Sequence, residues 1–273
     1  MKLKFPYDTV ETEDKKMGMF SRKDMVRLFG PLLVEQLLAV LVGMADVVMV
    51  AAVGETAVSG VALVDSISVL VIQVLSAMAT GGAVVCAQYI GKKRQDQACR
   101  AAGQLVLITA VLSLLIASTA FIGNRHLLRL IFGSVETEVM DNAATYFWFT
   151  AMSYPFLALY NSGAALFRSM GNSKVSMKVS LAMNAINVAG NALCVFGLHM
   201  GVEGVAIPTL LSRMFAAVVM VLLVRSPKNS IRVDHLFQLI PQPDMIKKIL
   251  SVGIPSGLEN GMFQFGKIAL QSL

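Results

Sequence analysis

Leu28-Phe-Gly-Pro-Leu-Leu-Val-Glu-Gln-Leu-Leu-Ala-Val-Leu-Val-Gly-Met-Ala-Asp-Val-Val-Met-Val-Ala-Ala-Val53 decides the architecture of this chain. It exceeds the roughly 20 apolar residues that a helix needs to cross a bilayer. Two carboxylates, Glu35 and Asp46, interrupt it. In a continuous helix they differ by about 20° after whole turns and by roughly 16 Å along the axis, so they share one face. Acids are expensive in hydrocarbon, and two on one face suit a path for a proton or a sodium ion, either of which a carboxylate can hold and release. The alternative for Asp46 is simple hydration near the outer end of the span.

The beginning of this stretch is echoed late in the chain. Pro31-Leu32-Leu33-Val34-Glu35-Gln36 returns as Pro255-Ser256-Gly257-Leu258-Glu259-Asn260, with an acid four residues after a proline both times. Such an echo implies an internally repeated membrane protein. Further apolar stretches run from Val58 to Tyr89, Ala98 to Ile122, Asn142 to Phe167, Val175 to Leu198, Gly204 to Val224, and from Ile249 onward. The expected fold is all-α: a polytopic bundle of six transmembrane helices plus an incomplete seventh.

Composition agrees, with 56% hydrophobic and only 15% charged residues. The net charge of +6 is explained by where the cations fall. Nineteen Lys and Arg precede the first span or follow the second, fourth and sixth, against Arg125 and Arg129 in the alternate loops. This places the N-terminus and the even-to-odd loops in the cytoplasm and gives no support to a nucleic-acid partner. The segment before Leu28 is polar and of mixed charge, unlike a cleavable signal. Cys86, Cys99 and Cys194 show no metal or redox spacing and read as small packing residues. His126, His199 and His235 are scattered in loops without ligand spacing, and no phosphate-cradling lysine motif is present. No enzyme, metal centre or organic cofactor is expected.

The polar stretch from Arg225 to Pro243 separates two halves, giving a cytoplasmic N-terminal segment (1–27), a membrane bundle (28–225), a cytoplasmic linker (226–247) and the start of a second lobe (248–273). Short amphipathic lead-ins are expected at Ser21-Arg-Lys-Asp-Met and Asp244-Met-Ile-Lys-Lys. If the halves are equivalent, the sequence stops inside the second, so the chain is expected to be a fragment or truncated product. Ala77, Ala79, Gly81, Gly82 and Ala83, and Ser162 to Ala165, are small enough for close helix packing. Pro31, Pro155, Pro208 and Pro255 fall inside spans and favour kinks.

Several polar groups lie within the spans. Ser180, Asn184, Asn187 and Asn191 make a stripe at spacings of four, three and four that faces either a cavity or other helices. Asp65 and Gln73 in the second span are placed to line the same cavity, although Asp65 near the helix start could equally serve the positive end of the helix dipole. Thr209 beside Pro208, with Ser212 and Arg213, gives the sixth span a polar middle, and Arg213 either pairs with an intramembrane acid or snorkels. Tyr146, Phe147, Trp148, Phe149 and Tyr154 form an interfacial aromatic belt or, alternatively, a pocket wall.

Taken together, Gly43-Met-Ala-Asp-Val-Val-Met-Val50, Ala87-Gln88-Tyr89-Ile90-Gly91, Leu166-Phe167-Arg168-Ser169-Met170-Gly171-Asn172, Asn187 to Asn191 running into Phe196-Gly197, and Gly201 to Thr209 make the chain resemble the multidrug and toxic compound extrusion (MATE) family. The motifs are collinear across nearly the whole chain. The resemblance implies two six-helix lobes forming a V around a central cavity, with antiport of organic, often cationic, compounds driven by protons or sodium ions. This chain would supply the first lobe and the start of the seventh helix, and its missing partner would be the second lobe. Asp46 matches the first-helix acid associated with cation coupling and possible sodium binding; Asn187 and Thr209 match polar positions of the same lobe. Two departures stand out: Asn191 replaces an acid that many relatives carry, and Glu259 lies about a turn earlier than the seventh-helix acid of some.

The sequence therefore assigns cation coupling to Asp46, Glu35 and Glu259, and the cavity to Asn184, Asn187, Asn191, Thr209, Gln73 and Asp65. Its expected setting is the plasma membrane, with a small organic substrate and the lipid bilayer as partners. The alternatives are a lipid-linked precursor flippase of the same superfamily, which would have a more cationic cavity, and a non-transporting membrane scaffold or remnant.

Overall fold

Long apolar runs broken by short Gly-containing turns leave the backbone little choice but helix, because in lipid only helices and closed barrels satisfy every backbone polar group. The computed structural model describes residues 22–133, 135–227, 229–231, 233 and 240–271, with only the backbone of 22–28, 260, 261 and 263–271. His235 lies outside the described residues. In chain order the helices are α1 (Arg22–Ala51), α2 (Glu55–Gly91), α3 (Gln95–Phe132), α4 (Thr137–Ser169), α5 (Ser173–Ala192), α6 (Glu203–Val224) and α7 (Pro243–Gln271). No strand occurs among the described residues. A π-helical turn, Leu193–Gly197, closes α5.

Five helices are long and apolar enough to cross a membrane: α1, α2, α3, α5 with its π turn, and α6. Helix α4 is less apolar because it sits at the centre. It packs on α2, α3 and α6, so its faces meet protein and can carry buried Thr150, Ser153 and Ser162. Thr109 and Ser162 share a hydrogen bond across α3 and α4 at 2.7 Å, and Ser68 and Tyr154 share one across α2 and α4 at 3.1 Å. Small residues bring other pairs close, α2 to α3 and α4 to α6. Gly82 abuts Leu105, and Gly163 abuts Met220.

Three expectations need correction. Helix α3 continues ten residues past Ile122, so Arg125, His126 and Arg129 belong to a helix rather than a loop; the apolar Leu127, Leu128, Leu130 and Ile131 among them keep the helix pattern going. The expected lead-ins are not separate elements, since α1 and α7 begin at Arg22 and Pro243 and run unbroken, α7 with proline in its first turn where no backbone donor is needed. The aromatic belt largely dissolves: Tyr146, Phe147 and Tyr154 are buried, Phe149 is half-buried, and Trp148 reaches the surface, tilted against Phe121 and edge-on to Phe149.

Helix α7 is docked on α2 and α3. At the α2–α7 crossing a methyl group on Gly81 would fall 2.7 Å from the backbone of Ile249 and Gly253, so glycine is needed for that approach. The linker is fastened as well. Buried Gln104 of α3 donates to the carbonyl of Ile240 (2.8 Å) and accepts from the amide of Gln242 (3.0 Å), gripping the backbone on both sides of Pro241. Ile231 and Val233 are buried in the main core alongside Met245 and Ile249.

Candidate functional site

Helix α1 lies at the edge of the bundle, with Leu33, Leu37, Leu41, Met44 and Val48 largely exposed. Its other side follows a spacing of three and four: Pro31, Glu35, Leu38, Val42, Ala45 with Asp46, and Met49 are buried or half-buried. This seam meets α5 above all. Both acids therefore face the polar stripe, as their shared helical face requires.

The stripe is positioned by a close approach of α5 to α6. A methyl on Gly190 would sit 2.7 Å from Cβ of Pro208. At that crossing Asn187 Nδ2 donates to Thr209 Oγ1 (3.0 Å), and Thr209 in turn donates to the carbonyl of Val205 (2.8 Å). One turn along α5, Asn191 Nδ2 donates to Asp46 Oδ1 (2.8 Å) and lies 3.5 Å from Asn187 Oδ1. A relay of side chains thus joins α1, α5 and α6. Asn191 is fully buried, and its Oδ1 has no partner among the described residues.

Three members of this relay, Asp46, Asn187 and Thr209, reach the wall of a cavity of about 390 Å³, while Asn191 is buried behind it. Asp46, Asn184, Asn187 and Thr209 line it, joined by Asp65 and Tyr146 opposite and by Arg213. Valines at 42, 47, 50, 58, 61 and 205 supply most of the remaining surface, an apolar wall with a few convergent polar groups of the kind that binds small molecules. Asp65 stands ten residues into α2, too far along for the helix-dipole role, which belongs to Glu55 in the first turn. Arg213 neither snorkels nor forms an ion pair: its guanidinium donates to Ser153 Oγ (2.6 Å), and Arg125–Asp141 is the ion pair found among the described residues.

Four assigned residues lie outside the lining. Asn191, expected in the cavity, is instead buried between Asp46 and Asn187, where its amide bonds both. Glu35 is held by a separate set of partners, Tyr160 and Ser176. Gln73, two turns further along α2 than Asp65, is half-buried away from the lining; Glu259 is exposed on α7 and does not reach the cavity. Sequence reasoning missed Ser176 and Tyr160. Ser176 is one turn before Ser180 and simply extends the stripe, whereas Tyr160 carries no local signal.

A family model described as MatE matches residues 31–193, more than half of the chain. The chain belongs to the MatE family. It is 28% identical over 254 residues to the "Uncharacterized transporter YisQ" of Bacillus subtilis (strain 168), covering 90% of this chain and 53% of that protein. It is 27% identical over 264 residues to the "Probable multidrug resistance protein NorM" of Thermotoga maritima, covering 92% and 54%. Among solved structures, the outward-facing conformation of a multidrug resistance MATE family transporter of the MOP superfamily superposes with a TM-score of 0.84 at 22% identity, over 92% of this chain and 55% of that one. This MatE chain spans about half the length of the curated relatives it matches.

Proposed function

We propose that the chain forms the first lobe of a cation-coupled antiporter that exports organic, often cationic, compounds by alternating access. A proton or a sodium ion is the coupling species, and Asp46 is its binding group. The observation that carries this reading is the relay Asp46–Asn191–Asn187–Thr209, three of whose members, Asp46, Asn187 and Thr209, line a cavity large enough for a small organic molecule. Family membership supports it, as does the multidrug-resistance role that the NorM relative's name states for that protein.

In the unloaded state Asp46 accepts a hydrogen bond from Asn191. Where many relatives carry a second acid, the amide gives this carboxylate a fixed donor and leaves a buried oxygen, Asn191 Oδ1, beside it. A proton or sodium ion arriving at Asp46 removes the negative charge that attracts a cationic substrate. Antiport follows when the inward and outward states differ in affinity for the two ligands, since a ligand shifts a conformational equilibrium only by its differential affinity. Arg213, held by Ser153, keeps positive charge on the same wall without neutralising either acid directly. Two acids against one arginine in the lining favour efflux of cations over the flipping of an anionic lipid precursor. The partner of this lobe is the second lobe of a full-length transporter in the plasma membrane, and the cation distribution supports a cytoplasmic N-terminus.

The test is gradient-driven efflux of a fluorescent organic cation by the full-length transporter in liposomes, with proton and sodium gradients applied separately. Asp46→Asn should abolish the coupled flux while the protein remains folded. Unchanged coupled efflux would refute the assignment.

A further inference from the structure

We propose that Glu35, Tyr160 and Ser176 form a second proton-binding site, separate from the Asp46 relay, that works as a latch holding the inner half of α1 against α4 and α5. Tyr160 donates to Glu35 Oε1 at 3.1 Å and Ser176 to Oε2 at 3.4 Å. Both donors are buried on helices that belong to the body of the bundle, while α1 is the least buried of the five membrane-length apolar helices. Among the described side chains along the seam of α1, only Glu35 and Asp46 are polar. Each ties α1 to α5, about three turns apart.

A proton from cytoplasmic water that settles on the Glu35 carboxylate occupies one accepting oxygen and removes the charge that strengthens both bonds; neutral hydrogen bonds are roughly half as strong as charge-assisted ones. The release is built in on one side. Ser176 Oγ already lies 3.0 Å from the carbonyl of Ser173 on its own helix, closer than to Glu35, so it loses little when the latch opens. Pro31, one turn earlier on α1, lacks the backbone donor that would stiffen the helix there.

The ionisable neighbours leave Glu35 as the operator. On α4, Tyr160 faces it and Arg168 lies two turns nearer the helix end; on α5, Lys174 and Lys178 are exposed and each projects about 200° away from Ser176. On α6 no ionisable residue occurs between Arg213 and Arg225, and on α2 Asp65 belongs to the outer cavity. The latch rests on the reading of α1 as the coupling helix, yet its test needs no transport.

Spin labels at Leu33→Cys on α1 and Leu181→Cys on α5, both on exposed surface, report the separation of the two helices in lipid nanodiscs, with Cys86, Cys99 and Cys194 replaced by alanine. The expected result is a distance that lengthens by a few ångström on acidification, that is long at every pH in Glu35→Gln, and that still responds to pH in Asp46→Asn. The double variant Tyr160→Phe, Ser176→Ala keeps the carboxylate and should hold the long distance throughout, which provides an independent arm should Glu35→Gln fail to fold. A pH-independent distance in the parent chain, an unaltered response in either latch variant, or loss of the response in Asp46→Asn would overturn the proposal. Failure of Asp46→Asn to impair efflux would leave these distances unaffected and would count against the transport reading alone.

Discussion

Gly190 of α5 and Pro208 of α6 touch so closely that no side chain fits between them, and this single crossing sets the register of the polar relay. Adding one methyl would place it 2.7 Å from the proline Cβ. Gly190→Ala is expected to cost about 1–3 kcal/mol, the usual range for overpacking, and to part Asn187 from Thr209. Denaturant titration in detergent measures the loss; a variant as stable as the parent would show that the helices separate freely here.

Asn191 and Asn184 share the same stripe but should behave differently. Asn191→Ala removes the donor to Asp46, a bond to a charged group worth about 1.5–3 kcal/mol. Asn184 lines the cavity and has no side-chain partner among the described residues, so Asn184→Ala should change stability by less than about 0.5 kcal/mol. Equal effects of the two changes in parallel unfolding experiments would contradict the relay.

Gln104→Leu should free the linker. It leaves the Ile240 carbonyl and the Gln242 amide without their partner, at about 1 kcal/mol each. Limited proteolysis between 226 and 243 is expected to accelerate while the helical content stays constant. A cleavage rate equal to that of the parent would mean that the buried Ile231 and Val233 hold the linker by themselves.

The Arg125–Asp141 pair offers the opposite expectation. Both side chains are more than half exposed, and such pairs contribute at most about 1 kcal/mol. Asp141→Asn should therefore leave the unfolding midpoint almost unchanged, at low and high salt alike. A marked, salt-sensitive loss would assign this pair a larger role in anchoring α3 to α4.

The number and order of helices were legible because a bilayer demands long apolar runs and because cations collect at alternate ends. Asp46, Asn187 and Thr209 were legible for a related reason: polar groups at helical spacing in hydrocarbon must find partners. What escaped depends on tertiary neighbours. Tyr160 sits in a helix whose apolar pattern gives no hint that its hydroxyl meets an acid far away in sequence, and the separation of Glu35 from the Asp46 relay follows from its meeting α5 about three turns away and from the added bond to Tyr160 of α4. Arg125 and Arg129 were assigned to a loop because charge ended the apolar run, while the apolar residues beside them kept α3 helical. Glu259 was assigned from its echo of Glu35, but repetition in sequence carries no information about which neighbours surround the second copy.

The grip of Gln104 on both sides of Pro241, together with the burial of Met245 and Ile249, bears on how relatives of this chain are recombined. A chimera joined at Ser226, where the polar stretch begins, would divide the anchored strap from the surface to which it is moulded. A junction placed beyond Gly253 would keep strap, glycine crossing and first lobe as one exchangeable cassette.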